Sequence, residues 1–217
     1  MHWLGLVTLA AAGVVVARWF MARTDSLGRP RAFPWLGVGG LVVIGLAALT
    51  PWFLRARLET RMAEAASEIV GHPVEVECQS FGQAFVDVGA EFGYVVFRDG
   101  RPEPRTLIKR QQCRDLAAYL RSDMESPSTA HVVALHTLTH EAVHMSGVTN
   151  EAETECIAVQ LDTRMAELLG ASSDAARAAA ATYWRSIYPR MPGGYRSDEC
   201  RPGGALDRGG GNAPWDL

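Results

Sequence analysis

From Ala32 to Leu54 the chain carries no charged residue. A run of that length can cross a hydrocarbon core, which needs about 20 apolar residues. Trp35 and Trp52 near its two ends fit interfacial anchors, and Pro34 and Pro51 sit near those ends, where a helix tolerates proline best. A second apolar run, Trp3 to Ala22, is interrupted only by Arg18, close enough to one end for its long stem to reach headgroups. A cleaved signal peptide would account for that run too. Its start lacks a basic segment, however, and no small-residue cleavage site comes after it, so the expectation is a retained hairpin of two spans, about 3–22 and 32–54, within residues 1–56.

Basic residues give the direction of insertion. Arg18, Arg23, Arg29 and Arg31 surround the connection between the runs, while no Lys or Arg precedes the first run. This argues for a cytoplasmic connection and an external domain after the second span, although Arg55, Arg57 and Arg61 oppose it. The cysteines add weight to the external side. Cys78, Cys113, Cys156 and Cys200 all lie beyond the spans, are even in number and form no CxxC pair. Four unlinked buried thiols are the other reading; for two disulfides, Cys78 with Cys113 and Cys156 with Cys200 close the shortest loops. The expected place is therefore a cell membrane crossed more than once, with the lipid bilayer as one partner. A net charge of −3 is a poor match for a polyanion, so no nucleic acid is expected.

Past the spans the chain has the mixed charge of a water-soluble domain. Leu58, Met62, Ala65 and Ile69 recur at helical spacing before Gly71, which predicts a stalk helix continuing from the membrane. "PVEVEC" alternates like a strand, and "AEFGYVVFRDGRPEPRTLI" reads as two extended pieces joined by a turn at Asp99-Gly100. From Gln111 the pattern becomes helical, with Ser128, Asn150 and Ser172 or Ser173 as N-caps and Gly147 and Gly170 as stops. The fold class expected is α+β: two transmembrane helices, then a mostly helical domain with a small sheet over 57–188, then a Gly/Pro-rich irregular tail over 189–217 pinned by Cys200.

The stretch "HEAVHMSGVTNEAETEC", His140 to Cys156, carries the chemistry. Residues four apart share a helix face, so the Nε2 atoms of His140 and His144 can converge on one ion. Zn2+ suits neutral imidazoles near 2.0–2.1 Å and keeps an open position in catalytic sites. Glu141, beside the first histidine, can take a proton from a water there without binding the ion. Gly147 supplies a tight turn, and Glu151 and Glu155, again four apart, can face the histidines from the next helix. One glutamate would be the third ligand and the other would support a histidine. Glu151, nearest the turn, is preferred.

"HEAVH" resembles the active-site helix of the zincin metallopeptidases, and a glutamate on a following helix resembles their gluzincin branch. "NEA" at Asn150 to Ala152 is similar to the third-ligand segment of thermolysin-like enzymes, which implies Glu151. "ECIA" at Glu155 to Ala158 is similar to a segment of membrane-bound zinc peptidases, which implies Glu155. In both families the third ligand lies further along the chain. Gly147 resembles the glycine of the metzincin pattern, but position 150 is asparagine where that pattern has histidine.

These residues together predict a membrane-anchored, zinc-dependent hydrolase, a peptidase with a peptide or protein substrate and a zincin-like fold. The alternative is a degenerate zincin that keeps its metal as a binding or structural module. A third reading is a purely structural membrane protein, its histidines a solvated helix face. His136 is expected to support the site or edge the core and not to ligate. Tyr183, Tyr188 and Tyr195 are candidates to steady an oxyanion, and none is singled out.

Overall fold

The computed structural model describes residues 2–86, 89, 91–209 and 213–215. The chain divides into two compact units, Met1–Arg57 and Leu58–Leu217. In the first unit, helix α1 (His2–Met21) and the apolar part of helix α2 (Trp35–Val70) are each long and apolar enough to span a membrane. They pack through glycine. A methyl group at Gly5 would lie 2.5 Å from Leu49, and one at Gly45 would lie 2.8 Å from Leu9, so bare backbone lets the two helices approach. Between them, Asp25 Oδ1 accepts from the backbone N–H groups of Leu27 and Arg29, and Trp19, Phe33 and Trp35 form an aromatic cluster.

One expectation is corrected here. Pro51 does not sit near a helix end: α2 runs through it to Val70, a single helix of 36 residues. A proline inside a helix forgoes one backbone hydrogen bond, a loss that a long helix with intact turns on both sides absorbs.

The second unit begins within α2 and continues through β1 (Glu75–Cys78), α3 (Gln83–Val86), β2 (Gly93–Arg98), β3 (Arg101–Ile108), α4 (Arg110–Tyr119), α5 (Thr129–Met145), α6 (Glu151–Leu168) and α7 (Ser173–Ser186). Among the described residues the architecture is mostly helical, with one small sheet ordered β1-β3-β2. β2 and β3 form an antiparallel hairpin whose turn, Asp99 and Gly100, has φ of +52° and +74°. β1 instead runs parallel to β3.

Helix α5 is the centre of this unit. Every residue from Ala134 to Met145 is buried, with β2 and β3 on one side and α4, α6 and α7 on others. Leu135, Leu138 and Met145 fill the core with Leu116, Met165 and Leu169. The expected caps are present: Ser128, Asn150 and Ser172 each accept a backbone N–H from three residues on, satisfying a donor that the helix leaves unpaired. The turn between α5 and α6 is short because Gly147, at φ +105°, takes a conformation that other residues resist.

Two disulfides join Cys78 to Cys113 and Cys156 to Cys200, the pairing with the shortest loops. The first fixes the end of β1 to α4. The second ties the tail to α6, and Gln160 adds to it by donating to the Leu206 carbonyl at 2.9 Å. Of that tail, residues 210–212 and 216–217 lie outside the described residues. Disulfides are the chemistry of an oxidising compartment, which fits a domain outside the cytoplasm.

Candidate metal centre

A buried central helix that carries two histidines and a glutamate must give each polar group a partner, since an unpaired one costs about 1–3 kcal/mol. The partners come from α6, folded back against α5 by the Gly147 turn. Glu151 Oε2 lies 3.2 Å from His140 Nε2 and 3.4 Å from His144 Nε2. Four ligands at 2.0–2.1 Å in a tetrahedron stand about 3.3–3.4 Å apart, so a group with these hydrogen-bond separations could also hold an ion.

The opposite ring nitrogens are held as well. His140 Nδ1 is 3.0 Å from Glu155 Oε2, and His144 Nδ1 is 2.8 Å from the Val148 carbonyl in the turn itself. A carbonyl can only accept, so His144 Nδ1 carries the hydrogen and Nε2 keeps its lone pair. His140 differs in facing a carboxylate at each nitrogen, Glu155 at Nδ1 and Glu151 at Nε2.

Behind this layer lies a second cluster. His136 sits between two acids, with Nε2 3.0 Å from Glu155 Oε2 and Nδ1 2.8 Å from Asp162 Oδ2. Tyr183 stacks on the His136 ring at 3.6 Å and donates its hydroxyl to Glu155 Oε1 at 2.6 Å. Two triads could therefore hold a metal ion, His140 with His144 and Glu151, or His136 with His140 and Glu155, and they share His140.

Charge separates the two layers. Burial opposes a charge on His136, but Asp162 and Glu155 outweigh it and raise the imidazole to about 10, so it is a cation at neutral pH. That cation, against the cost of burial, holds the Glu155 carboxyl well below the usual range. Burial and the charge of Glu155 push the Tyr183 phenol up, leaving it a donor. In the outer layer burial again works against His140, yet hydrogen bonds to Glu151 and Glu155 raise it to about 9. His144 is lowered by burial and by its charged neighbour, while the Glu151 carboxyl is lowered mainly by its bond to His140.

Glu141 stands apart from both triads and faces the sheet. Thr106 donates to its Oε2 at 3.4 Å, and a methyl group at Gly93 would lie 3.0 Å from its side chain, so glycine there lets the carboxylate reach the strand. Burial raises Glu141 to about 7. The Phe97 ring on β2 lies 6.2 Å from the His144 ring.

Of the three tyrosines, Tyr183 is committed to Glu155, and Tyr188 bonds the Ser197 backbone. Tyr195, on a single 3-10 turn at Gly193–Tyr195, is half-buried with its ring 6.1 Å from His140. Burial and the charges of Glu151, Glu155 and Glu141 raise its pKa, so it presents an O–H.

The sequence reading therefore named His140, Glu141, His144, Glu151 and Glu155; the structure gathers the two histidines and the two α6 glutamates, adds His136 beside Glu155, and turns Glu141 toward the sheet. The reading missed Asp162, Thr106 and Gly93. Asp162 alone had an available signal, since it lies seven residues after Glu155, two helical turns along the same face of α6. Compared with known proteins, the chain matches no family model, and no curated protein or solved structure is similar to it.

Proposed function

We propose that the C-terminal unit is a zinc-dependent peptidase of zincin-like design, with His140, His144 and Glu151 as metal ligands. The observation that carries this is the convergence of two Nε2 atoms on one carboxylate oxygen, at 3.2 and 3.4 Å, with a further carboxylate, Glu141, on the same helix but outside the set. The other triad is the poorer candidate. Glu155 there already accepts from His136, His140 and Tyr183, and both ring nitrogens of His136 are occupied by Asp162 and Glu155.

Zinc, when bound, would supply Lewis acidity to a scissile carbonyl and acidify a water molecule. Glu141 takes the proton of the attacking water and returns it to the leaving amine, a task suited to a carboxylate raised to about 7. With Nε2 of His140 given to a metal, Glu155 would accept the hydrogen left on Nδ1. Tyr195, whose ring lies 6.1 Å from that of His140, is a candidate donor to a developing oxyanion. The outer edge of β2, which no described strand pairs, offers backbone groups to an extended peptide, with Gly93 beside Glu141 and Phe97 beside His144. The active domain would lie on the external side of the membrane.

A metal-stabilised binding module is the second reading, and burial favours it: His140, Glu141 and His144 are 8%, 4% and 7% exposed. Metal analysis of the purified chain, then a peptide-library cleavage assay, separates the two. Metal at one equivalent with cleavage that chelation abolishes supports the peptidase. Metal without cleavage supports the module, and no metal removes both.

Metal uptake also has a proton signature. In the metal-free chain His140 is raised to about 9, so at pH 8 it is mostly protonated and must lose that proton to bind zinc. Calorimetric titration in buffers of different ionisation enthalpy should show release of about one proton per metal at pH 8. The release should fade as pH rises through about 9. The same raised value means that protonation of His140 stabilises the metal-free fold fully below its ordinary range near 6.5. That contribution is lost as pH rises through about 9.

A further inference from the structure

His140 and His144 are steadied in different ways. His144 Nδ1 lies 2.8 Å from the Val148 carbonyl, a backbone group that the Gly147 turn already fixes. His140 Nδ1 instead lies 3.0 Å from Glu155 Oε2, the end of a side chain with three rotatable torsions. An acceptor of that kind directs a ring only when something else stops it turning. The demand is strict, since the groups of a working site are held within about 0.5 Å of their places.

Three side chains hold the Glu155 carboxylate from the other side. Tyr183, on α7, donates its hydroxyl to Oε1 at 2.6 Å. His136, four residues before His140 on the same face of α5, places Nε2 3.0 Å from Oε2. Both carboxylate oxygens are thereby engaged, and rotation of the group would break its contacts with Tyr183, His136 and His140 together. His136 is itself pinned, with Asp162 Oδ2 on α6 at 2.8 Å from Nδ1 and the Tyr183 ring stacked on its face at 3.6 Å. All four residues are buried, none more than 4% exposed. Stability alone does not account for such a cluster, because buried sets of charged groups can often be replaced by apolar residues of like volume without loss. What apolar residues could not supply is a fixed acceptor at His140 Nδ1.

We propose that Asp162, His136 and Tyr183 are positioning residues of the metal centre. They hold Glu155 so that Oε2 stays against His140 Nδ1, and the opposite nitrogen, Nε2, keeps facing Glu151 and His144. The proposal rests on the function given above, in which His140 binds the metal, and none of the three belongs to that ligand set.

The test is zinc affinity of the full chain in detergent micelles, measured by competition with a chromogenic chelator, for Tyr183→Phe, Asp162→Ala and Asp162→Asn. Tyr183→Phe keeps the ring on His136 and removes only the hydroxyl. Asp162→Ala removes the partner of His136 Nδ1, and Asp162→Asn restores an acceptor of the same size. The first two should bind zinc about 10-fold more weakly than the unmodified chain, the lower end of the effect for groups that orient a ligand, and Asp162→Asn should recover most of the loss. Cobalt(II) loaded in place of zinc should show an altered visible spectrum in the first two and the unmodified spectrum in Asp162→Asn. A cluster that only supports the fold would lower the unfolding midpoint of the metal-free variants and leave affinity and spectrum unchanged, which would overturn the proposal. Unchanged affinity in Tyr183→Phe, which loses a single oxygen atom, would overturn it even where Asp162→Ala fails to fold. Either result, with zinc bound by the unmodified chain and lost in His140→Ala, leaves the metal centre standing. An unmodified chain that takes up no zinc removes the centre and this proposal together.

Discussion

Glu141→Gln should leave zinc content near that of the unmodified chain while peptide hydrolysis falls by a factor of about 10² or more, the scale for losing a positioned acid–base group. The two readouts part because Glu141 belongs to neither triad that could hold an ion. Its carboxylate faces Thr106 and Gly93 on the sheet, so the amide keeps size and hydrogen bonding there and removes only the base. His140→Ala should instead abolish both metal and activity. A Glu141→Gln chain that hydrolyses peptide at the unmodified rate would refute the proposed mechanism, whatever its zinc content.

Alanine at the two α6 glutamates should have opposite consequences. Glu151 reaches both Nε2 atoms and its side chain is 45% exposed, so Glu151→Ala should lose zinc while the fold persists. Glu155 is 1% exposed and serves His136, His140 and Tyr183 together. Its removal leaves a buried imidazolium short of a partner, a loss on the scale of about 3–5 kcal/mol. Zinc should still bind to Glu155→Ala, but about 10–100-fold more weakly, as when the group that orients a ligand is removed. Glu155→Gln, which keeps an acceptor for Tyr183, should recover part of the lost stability. Equilibrium dialysis against zinc with thermal unfolding on the same samples reads both effects. Zinc retained by Glu151→Ala and lost by Glu155→Ala would show that the inner glutamate is the ligand.

How much the sequence disclosed depends on the range of each interaction. Helix ends at Ser128, Asn150 and Gly147 are local chemistry, settled within one turn, and could be read directly. The pairing of His140 with His144, and of Glu151 with Glu155, is likewise a matter of helical spacing. The division of labour between the two glutamates is not, because it depends on how α5 and α6 are rotated against each other. That rotation is set by core residues such as Leu138 and Val159, which carry no metal chemistry. Tyr183 reaches Glu155 from 28 residues away on α7, and Asp162 reaches His136 from 26 residues away. Spacing along α6 puts Asp162 on the face of Glu155, but no spacing names the residue that either contact meets on another helix. β1 was legible as a strand, but its parallel pairing with β3 was not, since a run of four residues says nothing about which neighbour it will meet.

The Cys156–Cys200 bond bears on when the protein could become competent. Cys156 directly follows Glu155, and Cys200 lies five residues beyond Tyr195, so one covalent link joins the helix that bears both glutamates to the segment that brings the phenol alongside His140. The α5–α6 hairpin is closed by Gly147 and capped by Asn150, local contacts that involve neither cysteine. A newly made chain could thus gather its histidines and acids early yet present its phenol only after thiol oxidation. Because this bond needs an oxidising compartment, the place where the chain folds would then decide whether that segment is tied to the α6 glutamates.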